Sequence, residues 1–379
     1  MKNNWEGKKF NDCIEKIQYT TKILKKDFLE QGKYPIISQE EDYINGYWNN
    51  KEDSFKITKP VIIFGDHTKK IKYIDFDFVL GADGVKILQP IDKIDTKFFY
   101  YALLNTKIRD LGYARHFKLL QEKNILLPPL QEQKEIVKKL DKAFADIDKL
   151  IKIAKQNLEN SKELFNSYLN KVFTKNNNNW EEKTLNGVCE IQPNKDSIKH
   201  LKMNMLVSFV PMNDLGINSK YFKVNETKKL GEVIKQYTFF IDNDVLLAKI
   251  TPCFENGKLG IAKNLSNKIG FGSSEYIVFR TKECINNEFL YYFLLQDKFR
   301  KEGIQNMYGA VGHKRVSINF IYNYKIKLPP LPQQKQIVKK LDNLQEKTKK
   351  LEEIYNKKIE LAKELKQSVL HKELQPSKV

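Results

Sequence analysis

The sequence predicts a mixed α/β (α+β) protein built twice over. Two globular halves are each closed by a long helix, and the helices pair as an antiparallel coiled coil with approximate two-fold symmetry. Three observations predict this. Residues 127–141 (LPPLQEQKEIVKKLD) and 328–342 (LPPLPQQKQIVKKLD) agree at 12 of 15 positions, and an internal repeat outranks other signals of architecture. Each copy leads into apolar residues at helical spacing over about 40 positions, roughly 60 Å of helix. The chain has 379 residues, more than one ordinary core accommodates.

The first globular half is predicted over residues 1–126. Its β-branched and aromatic runs YPII (34–37), PVIIF (60–64) and KYIDFDFVL (72–80) read as strands between Gly, Asp and Asn turns. Phe98 to Arg109 reads as a helix packed on that sheet. The prolines of LPPL end a strand and suit a helix entry, so residues 127–175 form the first long helix. Its apolar positions are Ile136, Leu140, Ala143, Ile147, Leu150, Ala154, Leu158, Phe165, Tyr168 and Val172. The four-four step through Leu150, Ala154 and Leu158 interrupts the heptad and predicts a bend or a partly exposed stripe.

Residues 176–179, all Asn, form a polar linker. Residues 180–327 repeat the first half with longer loops. Trp5, Glu6 and Lys8 match Trp180, Glu181 and Lys183, and Phe55 to Ile63 matches Phe240 to Leu247. Gly81 and Leu88 match Gly272 and Phe279, and FFYYALL (98–104) matches FLYYFLL (289–295). The offset grows from 175 to 201 along the chain, so a shared frame carries loops of different length. Residues 328–379 form the second long helix, with Ile337, Leu341, Leu344, Leu351, Ile354, Leu361, Leu365 and Val369 as its stripe. Stripes of equal length bury each other, and the connection through the second half favours an antiparallel pair. Two heads on a helical spacer imply two short targets at a fixed separation.

The formal net charge is +19, divided as +4 in residues 1–129, +3 in 130–175, +7 in 176–330 and +5 in 331–379. Positive charge spread over folded segments points to a polyanion, nucleic acid foremost. The four cysteines form no C-x-x-C pair, which argues against a disulfide framework or zinc cluster and for a reducing cytoplasm. The start of the chain (MKNNWEGKKF) has no apolar signal region and no run is long enough to span a bilayer, so a soluble protein without a membrane partner is expected. Phosphate-binding, dinucleotide and zinc-protease motifs are missing. Asp66-His67 could pair as acid and base but has no nucleophile or metal set beside it, and a non-catalytic role is expected.

Recognition is expected in the loops. The chain holds 61 lysines and five arginines. Arg115, in GYARHFK, and Arg315, in GAVGHKR, precede the two LPPL motifs by twelve and thirteen residues. An arginine chosen in so lysine-rich a chain points to a need for its planar fork, at guanine or at phosphate. The candidate DNA contacts around them are Tyr113, His116 and Lys118 in the first half and His313 and Lys314 in the second. AKITPCFENGKLGIA (248–262) adds Lys249, Thr251, Asn256 and Lys258, and FGDHTKKIKY (64–73) adds His67, Thr68 and Lys69. Ser38, Gln39 and Lys86 complete the set.

The order of globular half, LPPL helix, globular half, LPPL helix resembles the specificity subunit of a type I restriction-modification enzyme, over nearly the whole chain. LPPLQEQKEIV (127–137), LPPLPQQKQIV (328–338) and FIDNDVLLAKITPCFENGK (240–258) carry the resemblance. It implies that each half is a target recognition domain for one part of a bipartite sequence in double-stranded DNA. It also implies that the helices dock two modification (methyltransferase) subunits, with Gln133, Ile136, Leu140, Gln334, Ile337 and Leu341 as partner-binding positions. Restriction subunits would join that complex. No cofactor is expected on this chain; S-adenosylmethionine, ATP and Mg belong to the partners. Two other classes stay open: a coiled-coil adaptor whose halves bind protein, and a nuclease or methyltransferase with an unrecognised active site.

Overall fold

The computed structural model describes residues 5–112, 114–174, 180–310 and 312–376; the predicted linker 176–179 lies outside them. The chain divides into two compact units, one comprising residues up to Lys155 together with those from Asn356 onward, the other Gln156–Tyr355. Each unit therefore combines one globular half with stretches of both long helices, Leu130–Thr174 and Leu331–Glu373.

In the first unit, the strand Val61–Gly65 lies between Ile71–Ile74 and Val85–Leu88 in a three-stranded antiparallel sheet. Its residues alternate between two cores. Ile62 and Phe64 meet Phe99 and Leu103 of the helix Thr96–Asn105, while Val61 and Ile63 meet Ile37, Phe78 and Leu80 of a second, five-stranded sheet. A strand buried on both faces cannot slip by one residue without exchanging the two sets. The predicted strand KYIDFDFVL is split into Ile71–Ile74 and Phe78–Gly81. Asp77, just ahead of the second part, accepts Ile57 N–H at 3.0 Å and pairs with Lys56, and a carboxylate so engaged suits the break between the two strands.

The second unit repeats the plan with two four-stranded sheets. Val245 and Leu247 of its strand Val245–Ala248 face Phe289 and Tyr292, and Leu246 and Ala248 face Val210 and Tyr276. Ladder registers fix the equivalence. Gly65 pairs with Val85 as Ala248 pairs with Tyr276, and Glu6 pairs with Leu127 as Glu181 pairs with Leu328.

The LPPL-x-x-Q motif has a structural meaning. Gln133 is buried; its Nε2 donates to Pro128 O at 2.8 Å and its Oε1 accepts Asp95 N–H at 2.8 Å. Gln334 donates to Pro329 O (2.8 Å) and Cys284 O (3.0 Å) and accepts Asn286 N–H (2.8 Å). Asp95 and Asn286 in turn cap the helices that pack on the sheets. Farther along, Tyr101 and Tyr292 donate to Asp141 and Asp342, each at 2.5 Å. Gln133 and Gln334 therefore serve the chain itself, which corrects their expected partner-binding role. Ile136 and Leu140 are likewise packed against Leu370 and Leu374, and Leu341 and the half-buried Ile337 against the core of the second unit.

In the first unit the helices run antiparallel: Lys139 meets Glu373, whereas Asp148, farther along the first helix, meets Lys366, which comes earlier on the second. In the second unit, the end of the first helix (Phe165, Leu169) shares a core with the start of the second (Val338, Leu341). The buried stripe differs from the expected one. Leu150, Ile354, Leu361 and Leu365 are exposed, while Thr348 is buried and Lys366 lies over the Phe144 ring. Helical spacing allowed more than one face, and the long stem of a lysine covers apolar surface as a leucine would.

Replacing Gln133 or Gln334 by Ala strands a carbonyl and an N–H at once. Each stranded group costs about 1–3 kcal/mol, so either variant is expected to lower the urea midpoint of unfolding well beyond an exposed Gln131→Ala control.

Candidate nucleic-acid interface

Three loops of the second unit are laced by main-chain bonds. Lys249 N–H donates to Glu275 O (2.9 Å), Val316 N–H to Lys249 O (2.9 Å) and Thr251 N–H to Lys314 O (2.9 Å). The loop after Val245–Ala248 is anchored by Phe254, which is buried against Phe299. The first unit is laced in the same way: Asp66 N–H donates to Gly84 O (2.7 Å) and His116 N–H to Asp66 O (2.8 Å). Asp66 thus corresponds to Lys249, Gly84 to Glu275, and His116 to Val316. Arg115 and Arg315, each one residue earlier, occupy equivalent places.

Their surroundings differ. Arg315 donates Nε and Nη2 to the Glu275 carboxylate, at 3.0 and 2.7 Å, and Nη1 to His313 O at 3.2 Å. Those bonds hold the Glu275 carboxyl below the usual range. Arg115 is exposed and makes no ion pair among the described residues. His313, Lys314, Asn256 and Lys118 are also exposed. Lys249 is half-buried, with Nζ donating to Ser274 O at 2.9 Å, and Thr251 Oγ1 donates to Glu255 at 3.3 Å.

Several expected contacts are internal instead. Ser38 is buried and donates N–H and Oγ to Asn45 Oδ1 (2.8 and 2.9 Å). His116 is fully buried; one ring nitrogen lies 3.0 Å from Asp66 O and the other accepts Leu111 N–H at 3.1 Å. These bonds hold the ring between the two loops. Lys258 Nζ donates to Met212 O at 2.6 Å, and Thr68 Oγ1 to Gln39 O at 2.6 Å. Ser38, His116, Lys258 and Thr68 therefore hold loops in shape, because a loop that packs on a domain must satisfy its own polar groups. Gln39 does the same by accepting His67 N–H at 3.1 Å. Lys69 pairs with Asp110 at 2.6 Å, and Lys86 lies over the Phe117 ring. Tyr113 lies outside the described residues.

Sequence reasoning missed Glu275 and the Asp66 staple, whose Oδ1 accepts Phe117 N–H at 2.8 Å. The Gly81 to Gly272 match would have located Glu275, since the same offset sets it opposite Gly84. It also missed Lys72, buried with Nζ on Asp42 O and Asn45 Oδ1 beneath the 38–45 loop. Among the described residues no group of His, Cys, Asp and Glu is arranged to hold a metal, and no helix is long and apolar enough to cross a membrane.

Two mixed α/β units, each locked to long helices through an LPPL-x-x-Q clamp and each presenting a laced cluster of basic loops, define a tandem-repeat architecture. The chain belongs to the family of the type I restriction modification DNA specificity domain, whose model matches residues 2–160 and 177–361. It is 36% identical to the type I restriction enzyme EcoAI specificity subunit of Escherichia coli over 175 residues, 46% of this chain and 29% of that protein. Over nearly full length, 93% of this chain and 89% of the relative, it is 25% identical to the MjaVIII specificity subunit of Methanocaldococcus jannaschii. Its fold matches a chain from work on the structural basis of complex assembly and conformational transition of the type I R-M system, with a TM-score of 0.71, 16% identity and 98% of both chains covered.

Burial pushes the Lys72 amine down to about 8. Between that value and the ordinary lysine range the unfolded chain binds more protons than the folded one, so this group makes stability rise with pH. The denaturation midpoint is expected to gain between pH 8 and 10 in the parent chain relative to Lys72→Met.

Proposed function

We propose that the chain is the DNA-specificity subunit of a type I restriction-modification complex, with each globular half reading one part of a bipartite duplex target. The observation that carries this is the shared lacing that sets Arg115 and Arg315 at equivalent positions among basic loops on a common frame. Membership of the specificity-domain family and the overall charge of +19 support it. The chain contributes no catalysis; two modification subunits supply S-adenosylmethionine chemistry, and restriction subunits supply ATP- and Mg-dependent steps. Modification subunits dock on the helices through side chains that the chain leaves exposed. In the first unit these include Leu150, Ile153, Leu361 and Leu365, each between 48% and 57% exposed. They lie at i,i+3 and i,i+4 spacing on their helices.

Methylation mapping of host DNA after co-expression with the modification subunit tests the assignment. Two short blocks around a fixed gap, with adenine modified in each, are expected. A stable complex that methylates nothing would instead favour the protein-binding adaptor. Within the mapped target, Arg115→Ala is expected to weaken one block and Arg315→Ala the other, by about 1–3 kcal/mol for a base contact. Equal losses on all sequences would mark a phosphate contact.

Leu150→Glu combined with Leu361→Glu places charge where an apolar partner surface would close. Capture of the modification subunit is expected to fall about tenfold or more, a change of roughly 1.4 kcal/mol or above, with the chain's own unfolding midpoint unchanged.

A further inference from the structure

We infer that Glu275, an acidic residue in a basic surface, is a positioning residue that makes Arg315 a fixed base reader. The inference rests on the proposed DNA-recognition role and goes beyond it by giving the two units different means of recognition.

Arg315 carries five N–H groups. Glu275 takes the Nε hydrogen and one from Nη2, and His313 O takes one from Nη1. One hydrogen is left on each terminal nitrogen, the pair that can address guanine O6 and N7 together. The main chain that carries the carboxylate is held on both sides, because Glu275 O accepts Lys249 N–H at 2.9 Å and Glu275 N–H donates to Ser273 Oγ at 3.2 Å. Arg315 is anchored from its other side by the short hairpin pairing of Tyr308 with Arg315 and Met307 with Val316. An arginine held in this way gives up little rotamer freedom on meeting a base.

Charge argues in the same direction. A carboxylate facing DNA repels phosphate, so Glu275 weakens sequence-independent binding. A residue that lowers general affinity while fixing a base-reading fork favours discrimination over affinity. The first unit cannot use this device. Gly84 stands at the equivalent position with φ of +73°, and a Cβ there would lie 2.7 Å from Gln39 Oε1 and 2.9 Å from His67 Cδ2. Arg115 accordingly has no carboxylate opposite it from that position.

The test uses the full chain assembled with its modification subunits and a duplex library with randomised positions, sequenced before and after selection. The parent complex is expected to enrich two blocks. Glu275→Ala is expected to lose base preference at one position of one block by about tenfold, a typical yield of a bidentate base contact. It should leave the other block intact and bind a non-cognate duplex of fixed sequence at least as tightly as the parent. Arg315→Ala should erase the same preference, and the double variant should add nothing further. Glu275→Gln, which keeps one acceptor, should fall between. Unchanged preferences in Glu275→Ala would overturn the inference while leaving the DNA-specificity assignment intact. So would affinity lost on every duplex in step with a lower unfolding midpoint, since that marks a structural role. No enriched block in the parent complex would overturn the assignment, and the inference with it.

Discussion

The buried glutamine amide at the head of each long helix is the constraint on which the rest of each unit depends. Gln133 and Gln334 each tie a proline carbonyl of the LPPL turn to the backbone N–H of a residue that caps the sheet-packed helix. The amide presents a donor and an acceptor to opposite sides, which no carboxylate or aliphatic side chain of that size can do. Its partners are buried main-chain groups, so the bond is weak as a net gain and costly to lose. The Tyr101–Asp141 and Tyr292–Asp342 bonds repeat the attachment farther along the helix. Two separated pins set a direction, where one would leave a pivot.

From that fixed helix the order passes to the loops through a strand buried on both faces. Val61–Gly65 and Val245–Ala248 each place alternate residues against the pinned helix and against a second sheet. Register is therefore set twice over, and the residues that follow, Asp66 and Lys249, emerge at a determined point. Main-chain bonds then lace the neighbouring loops to that point. Because the lacing uses backbone groups, side chains there can differ between units without disturbing it.

The repeat, the long helices and the antiparallel pairing were legible because they rest on periodicity and chain connection, which a sequence displays directly. The inward face of the second helix was not. Leu361 and Leu365 have the composition of core residues, yet Lys366 lies inward on Phe144, since a long aliphatic stem serves that place as well. The match between the loops of Arg115 and Arg315 was legible, and the lacing sets the two arginines at equivalent positions. Ser38, His116 and Lys258 were misjudged for one reason: a polar residue in a loop is equally suited to bind a ligand or to satisfy its own backbone. Only the three-dimensional partner decides between the two.

That same competition shapes how two similar units can differ. Once the backbone lacing is common, divergence is confined to side chains at equivalent points and to inserted segments. Both kinds meet at Arg315. Glu275 stands where the first unit has Gly84, and the second unit adds the helix Asp297–Gln305 and the pairing of Met307–Tyr308 with Arg315–Val316 ahead of the shared motif. Phe299 and Gly303 of that helix close over Phe254, which anchors the loop bearing Lys249 and Thr251. Among the described residues the first unit has no helix or strand between Asn105 and Phe117, and Arg115 there is exposed. A longer loop is usually a looser one. Here the additional residues fold onto themselves and onto the core, so the longer connection carries the more constrained arginine.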